Sequence, residues 1–197
     1  RTGSLFALEQ ENVAADITTL AKGLAAGYQP IAAVMASERV VASIESGSGS
    51  LWNGHTYMSH AIATAGALAV QKVIEEDHML DNVRARGEQL RDGLNAQFGK
   101  HPNVGDIRGR GLFWSLELVR DKDTKNCFPA EAKLSQKIGT AALDIGLMCY
   151  PAQGCVDGTN GDHILLAPSY TSTPEEIEQI IDLTGAGITA ALAEMEY

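Results

Sequence analysis

The run Thr19-Leu20-Ala21-Lys22-Gly23-Leu24-Ala25-Ala26-Gly27-Tyr28-Gln29-Pro30 constrains this chain more than any other segment. It is small and apolar, carries one lysine, and closes on two glycines, an aromatic and a proline. Two readings of Lys22 are open. A lysine desolvated among apolar residues loses its charge more readily and becomes an amine nucleophile able to condense with an aldehyde. The glycines beside it then permit positive φ and the close backbone approach that a bulky cofactor requires. Alternatively the lysine sits at a helix end, extends its ammonium to solvent, and the glycines stop the helix.

The composition sets wide bounds. With 197 residues, 45% hydrophobic and 20% charged, the chain can bury a core and does not read as disordered. A net charge of −10 argues against a nucleic-acid surface or an anionic membrane as partner. Cys127, Cys149 and Cys155 are odd in number and lack a metal-ligand spacing, which reads as reduced thiols in a cytosolic-type setting. No apolar run is long enough for a membrane helix, and no signal-peptide pattern is visible.

The pattern along the chain predicts alternating strands and helices. Residues 31–36 read as a strand buried on both faces of a mostly parallel sheet. Ser37 caps a helix through Ile44, and helices follow over 59–75 and 77–98. Strands are expected at 104–109 and 112–119, where Trp114, Leu116 and Leu118 alternate with Phe113, Ser115 and Glu117. A helix over 130–143, a short strand over 147–150, a polar loop over 155–161 and a strand over 163–167 follow. Thr173-Pro174-Glu175-Glu176 is a strong helix start: a capping threonine, proline in the first turn, and acids facing the helix dipole. The domain boundary is placed at 76/77.

Further residues suit chemistry. In Trp52-Asn53-Gly54-His55-Thr56-Tyr57, a hydroxyl after a glycine suits a phosphate oxygen, although Thr56 could equally cap the next helix. His55 either lines such a phosphate cup or packs beside it, and Trp52 and Asn53 suit the rim of a pocket. Arg108 and Arg110, set among glycines, either bind a carboxylate or pair with Asp106 and backbone carbonyls.

The ordered set Arg1-Thr2-Gly3, Ala21-Lys22-Gly23-Leu24 with Gly27-Tyr28 and Pro30, Gly54-His55-Thr56-Tyr57, Asp106-Ile107-Arg108-Gly109-Arg110-Gly111-Leu112 and Ala167-Pro168 resembles the class III, or omega-type, aminotransferases. The resemblance covers nearly the whole chain. It implies the C-terminal part of a fold-type-I enzyme dependent on pyridoxal 5′-phosphate (PLP): residues 1–76 end the large parallel-sheet domain, and 77–197 form a small α+β domain. It implies Lys22 as the Schiff-base lysine, with Gly54, His55 and Thr56 at the cofactor and Thr56 reaching the phosphate of a homodimer partner. The aspartate that pairs with the pyridine nitrogen, the stacking aromatic and the main phosphate loop would precede residue 1. The implied reaction moves an amino group from an amine or amino acid to a keto acid or aldehyde. The framework also serves aminomutases and decarboxylases, and a fragment alone can be a non-catalytic dimerisation module. One departure bears on the substrate: Cys149-Tyr150-Pro151 places Tyr150 where many relatives carry a carboxylate-binding arginine. Tyr150, by the resemblance, and Trp52, by its place in the 52–57 cluster, are the expected substrate-pocket residues.

Overall fold

The computed structural model describes residues 1–195 and divides into two units: Leu5–Met79, and Arg1–Ser4 together with the chain from Leu80 onward. The division falls three residues beyond the expected boundary, and the first four residues belong to the second unit.

In the first unit, β1 (Ile17–Leu20) pairs antiparallel with β2 (Ala33–Ala36), Ile17 opposite Ala36 and Leu20 opposite Ala33. The expected strand over 31–36 is therefore shorter than predicted. It is antiparallel, and it is not buried on both faces. A small apolar run carries no information about the direction of its partner, and the β-branched Ile17-Thr18-Thr19 supplies that partner. Helix α1 (Glu38–Ser46) follows Ser37, whose hydroxyl donates to Asp16 Oδ1 at 3.0 Å instead of capping the helix. Helix α2 (Ala61–Glu76) is the scaffold of this unit, and its Ala63 and Ala67 are buried.

The second unit has a continuous core. Helix α3 (Met79–Phe98) buries Val83, Gly87, Leu90, Leu94 and Phe98, spaced at three and four residues on one face. Strands β3 (Val104–Arg110), β4 (Phe113–Leu118), β5 (Tyr150–Gln153) and β6 (Asp162–Leu166) form an antiparallel sheet in the order β3-β4-β6-β5. Trp114, Leu116 and Leu118 of β4 and Ile164 and Leu166 of β6 enter one core with α3, α4 (Leu134–Asp144) and α5 (Pro174–Ala193). The alternation read in β4 is the one observed, and α5 opens on a capping box in which Thr173 Oγ1 accepts from Glu176 N at 3.2 Å.

Two expected elements are displaced. The helix over 130–143 is broken at Lys133, at φ 50°, into a 3-10 turn (Ala130–Ala132) and α4. The N-terminal end of α4 is satisfied from elsewhere in the chain: the buried Asp162 Oδ1 accepts from Ser135 N at 3.0 Å. The strand expected at 147–150 lies at 150–153 instead. Pro151 is tolerated there because β5 is the edge strand, and Leu147 is buried ahead of it. No helix among the described residues is long and apolar enough to cross a membrane.

Gly87 lets α3 touch the β3–β4 turn. A Cβ at Gly87 would stand 2.6 Å from the carbonyl carbon and oxygen of Gly111, backbone atoms that cannot rotate away. Gly87→Ala should cost about 1–3 kcal/mol in urea denaturation, and an unchanged midpoint would mean that the helix shifts at no cost.

The 155–161 loop has its own electrostatic lock. Asp157 accepts from Thr159 N at 2.9 Å, Asn160 N at 2.7 Å and Asn160 Nδ2 at 2.8 Å. Those bonds, Asn160's first, lower its carboxyl from 3.8 to about 2. Because the folded value is the lower one, the lock is complete above about pH 4 and is lost as pH falls through 2. NMR titration should place the Asp157 midpoint near 2, and Asp157→Asn should speed amide exchange at Thr159 and Asn160.

Candidate active site

Lys22 opens a 3-10 turn (Lys22–Leu24) directly after β1. Its own backbone is left-handed at φ 52°, and Ala26 and Gly27 follow at 48° and 83°. For a residue with a Cβ this conformation costs roughly 1–2 kcal/mol, and it persists only where neighbouring contacts over-determine it. Three contacts do so. Leu24 N donates to Ala21 O at 3.1 Å and Ala25 N to Lys22 O at 3.3 Å. From α2, Gln71 Nε2 donates to Leu24 O at 2.9 Å and Gly23 O at 3.4 Å. Farther along, Gly66 of α2 admits Gln29, whose Cγ lies 2.8 Å from where a Cβ would stand. The segment from Gly23 to Gln29 is thereby held along α2.

The Lys22 side chain is exposed, and its amine makes no hydrogen bond or ion pair among the described residues. The expectation of a lysine buried in apolar surroundings is not met in this chain, because the side chains buried in the 5–79 unit are Ala25, Ala63 and Ala67. The alternative expectation, a lysine at a helix end, is also incomplete. The turn is a strained 3-10 segment between a strand and a loop, not the end of an α-helix.

Gly54, His55 and Thr56 lie in and just before a tight turn that precedes α2, closed by Met58 N donating to His55 O at 3.0 Å. Met58 Sδ lies 2.8 Å from where a Cβ of Gly54 would stand, so a side chain at 54 would displace the methionine. Thr56 does not cap the helix. That task falls to His60, which the sequence reading passed over: its Nδ1 accepts from Ala63 N at 3.3 Å. The Thr56 hydroxyl has no partner among the described residues and is exposed, as is the His55 ring. Ala61 and Gln71, at the two anchoring ends of α2, are ten residues and about 15 Å apart along the axis. The lysine turn is held near the middle and later part of α2, and the 54–57 turn precedes the helix in sequence.

Trp52 is 89% exposed. Tyr150, in the other unit, begins β5 opposite Leu165 and is 68% exposed. Arg108 is committed: its Nη1 donates at 2.6 Å to both Asp106 Oδ2 and Glu117 Oε2. Those bonds, Glu117's first, raise its already high pKa. Of the two readings of Arg108, the structure gives the pairing with Asp106, and adds Glu117.

The comparisons with known proteins agree with this architecture. The family model for aminotransferase class-III matches residues 1–186. An uncharacterized aminotransferase of Schizosaccharomyces pombe is 42% identical over 99% of this chain and 42% of its own length. A transaminase from the marine bacterium Virgibacillus superposes with a TM-score of 0.92 at 28% identity, over 100% of this chain and 44% of that one. A PLP-bound aminotransferase mutant from Vibrio fluvialis superposes at 0.89 with 26% identity, over 100% of this chain and 42% of that one. The chain belongs to the class-III aminotransferase family, and its mixed α/β fold is that of fold-type-I transaminases. It spans about 42% of the length of the Schizosaccharomyces pombe relative.

If Gln71 holds the lysine turn, Gln71→Ala should raise amide exchange at Leu24 and Ala25 by up to about tenfold, since one neutral hydrogen bond contributes about 0.5–1.5 kcal/mol. Exchange in α1 should not change.

Proposed function

We propose that the protein carrying this chain is a PLP-dependent aminotransferase, and that Lys22 is the lysine to which PLP attaches. It moves an amino group from an amine or amino acid to a keto acid or aldehyde. The observation that carries the reading is the Lys22 turn. A non-glycine residue held at positive φ, in a turn braced by a glutamine from a neighbouring helix, presents an amine with no partner among the described residues. Strain of this kind concentrates at functional sites.

The residues present fit PLP chemically. Lys22 supplies the amine. Thr56 supplies a hydroxyl with no partner among the described residues, suited to a phosphate oxygen, with Gly54 and His55 beside it in sequence. Bound PLP supplies an electron sink that lets a proton leave the carbon bearing the amino group. Lys22 Nζ would be the group that holds the cofactor and, when free, the base that carries that proton. Family resemblance supports assigning Thr56 to the site of a second subunit. The enzyme is then a homodimer in which each site borrows a residue. Trp52 and Tyr150 are assigned to the substrate pocket. With tyrosine in place of an arginine, Tyr150 offers a hydroxyl and an aromatic face, which suits an uncharged substituent better than a carboxylate. Three free cysteines fit a reducing cytoplasmic compartment.

The test is a half-reaction. Full-length enzyme loaded with PLP and given an amine donor without acceptor should accumulate pyridoxamine phosphate, visible as loss of the yellow band. Lys22→Ala should slow this by more than about a thousandfold, as expected for removing the group that moves the proton. Carbon dioxide release without pyridoxamine phosphate would make the protein a decarboxylase instead.

A further inference from the structure

Five successive carbonyls around the lysine, from Ala21 to Ala25, all find a donor. Three are served by the chain itself: Leu24 N donates to Ala21 O at 3.1 Å, Ala25 N to Lys22 O at 3.3 Å, and Tyr28 N to Ala25 O at 2.9 Å. The two between them, Gly23 O and Leu24 O, are not served that way. In a continuing α-helix their donors would be Gly27 N and Tyr28 N, each four residues on. Ala26 and Gly27 are left-handed at φ 48° and 83°, so the chain leaves the helical path, and Tyr28 N is taken by Ala25 O.

The donor for both is one side-chain amide. Gln71 Nε2 carries two hydrogens, and it donates to Leu24 O at 2.9 Å and to Gly23 O at 3.4 Å. Gln71 is 47 positions from Leu24, in a helix of 16 residues. Among the described residues it is the only side chain hydrogen-bonded to residues 21–25.

That amide bears on the direction of the lysine. Lys22 is left-handed at φ 52°, a conformation that a residue with a Cβ adopts at a cost. Relaxation to the right-handed or extended region would swing its Cα–Cβ bond, and the amine with it, to another direction. A 3-10 turn of three residues, held by its own backbone bonds alone, is short and poorly bonded. The Gln71 bonds fasten it to α2 from outside the turn.

We propose that Gln71 is the positioning residue for Lys22: by donating to Gly23 O and Leu24 O it holds the lysine backbone left-handed and fixes the direction from which the amine meets the aldehyde carbon of PLP. The inference rests on Lys22 as the attachment point and adds a residue that acts through the backbone. Attachment joins the amine nitrogen to the aldehyde carbon as C=N, with loss of water, and a misdirected amine slows it.

Side chains of nearly one length separate this role from simple packing. Gln71→Met keeps the bulk and offers no donor, and Gln71→Glu keeps the shape but sets a carboxylate before two carbonyl oxygens. Glutamine, methionine and glutamate all favour helix, so α2 is kept. Full-length protein stripped of PLP is mixed with PLP, the growth of the yellow band is timed, and the modified lysine is mapped after borohydride reduction. Gln71→Met should attach PLP about three- to tenfold more slowly than the wild type, the range that loss of a neutral hydrogen-bond donor gives. Gln71→Glu should be at least as slow, and the label should stay on Lys22. With an amine donor, the maximal rate of the half-reaction should fall in the same order, while the amine concentration at half-maximal rate is unchanged. A wild-type attachment rate in Gln71→Met, or faster attachment in Gln71→Glu than in Gln71→Met, would overturn the positioning role and leave the amino-transfer reading standing. PLP mapped to another lysine in the wild type would overturn both. Should one variant fail to fold, the other is compared with the wild type in the same way.

Discussion

The second unit depends on one constraint: Trp114, Leu116 and Leu118 must all face the helices. A strand has a side-chain period of two, so a slip of one residue in β4 would expose all three and bury Phe113, Ser115 and Glu117. With that register fixed, the pairings to β3 and β6 follow, and so does every outward neighbour. Arg108 meets Glu117, Ser115 lies diagonal to His163, and Tyr150 stands at the edge across Leu165. The glycines at 87 and 111 allow α3 to approach this sheet closely. The outward side chains of this sheet are therefore set by packing on its far side.

The first unit is organised differently. It buries three alanines and leaves Leu51, Trp52, Tyr57, Met58, Ile62 and Leu68 exposed, so hydrophobic packing within it is slight. What holds the lysine turn is local and polar: two backbone bonds in the turn and the Gln71 amide from α2. That arrangement fixes the backbone at Lys22 while its amine makes no hydrogen bond or ion pair among the described residues, which suits the proposed attachment of the cofactor. The turn with Thr56 precedes the same helix, whose cap is His60, and the Thr56 hydroxyl has no partner among the described residues.

Much of this was legible in the sequence, for identifiable reasons. The alternation in β4, the apolar spacing of α3 and the Thr173–Glu176 capping box are local signals, and the structure contains each of them. The break at Lys133 was not legible, because the donor group it exposes is satisfied by Asp162, 27 residues away. The start of β5 was misplaced because Leu147 and Cys149 look strand-like, whereas the ladder begins only at Tyr150, where the edge position accommodates Pro151. The lysine turn was recognisable by its residues, but not its strain at φ 52° or its brace from Gln71, which is 49 positions along the chain. His60 as helix cap was missed because histidine is not among the usual capping residues.

The central claim is that the strained Lys22 turn is where the cofactor attaches. Its most direct test is borohydride reduction of the PLP-loaded full-length protein, followed by proteolysis and mass mapping. A single pyridoxyl-modified peptide with the adduct on Lys22 is the predicted result. An adduct on another lysine, such as Lys72 or Lys133, or incorporation that persists unchanged in Lys22→Ala, would contradict it.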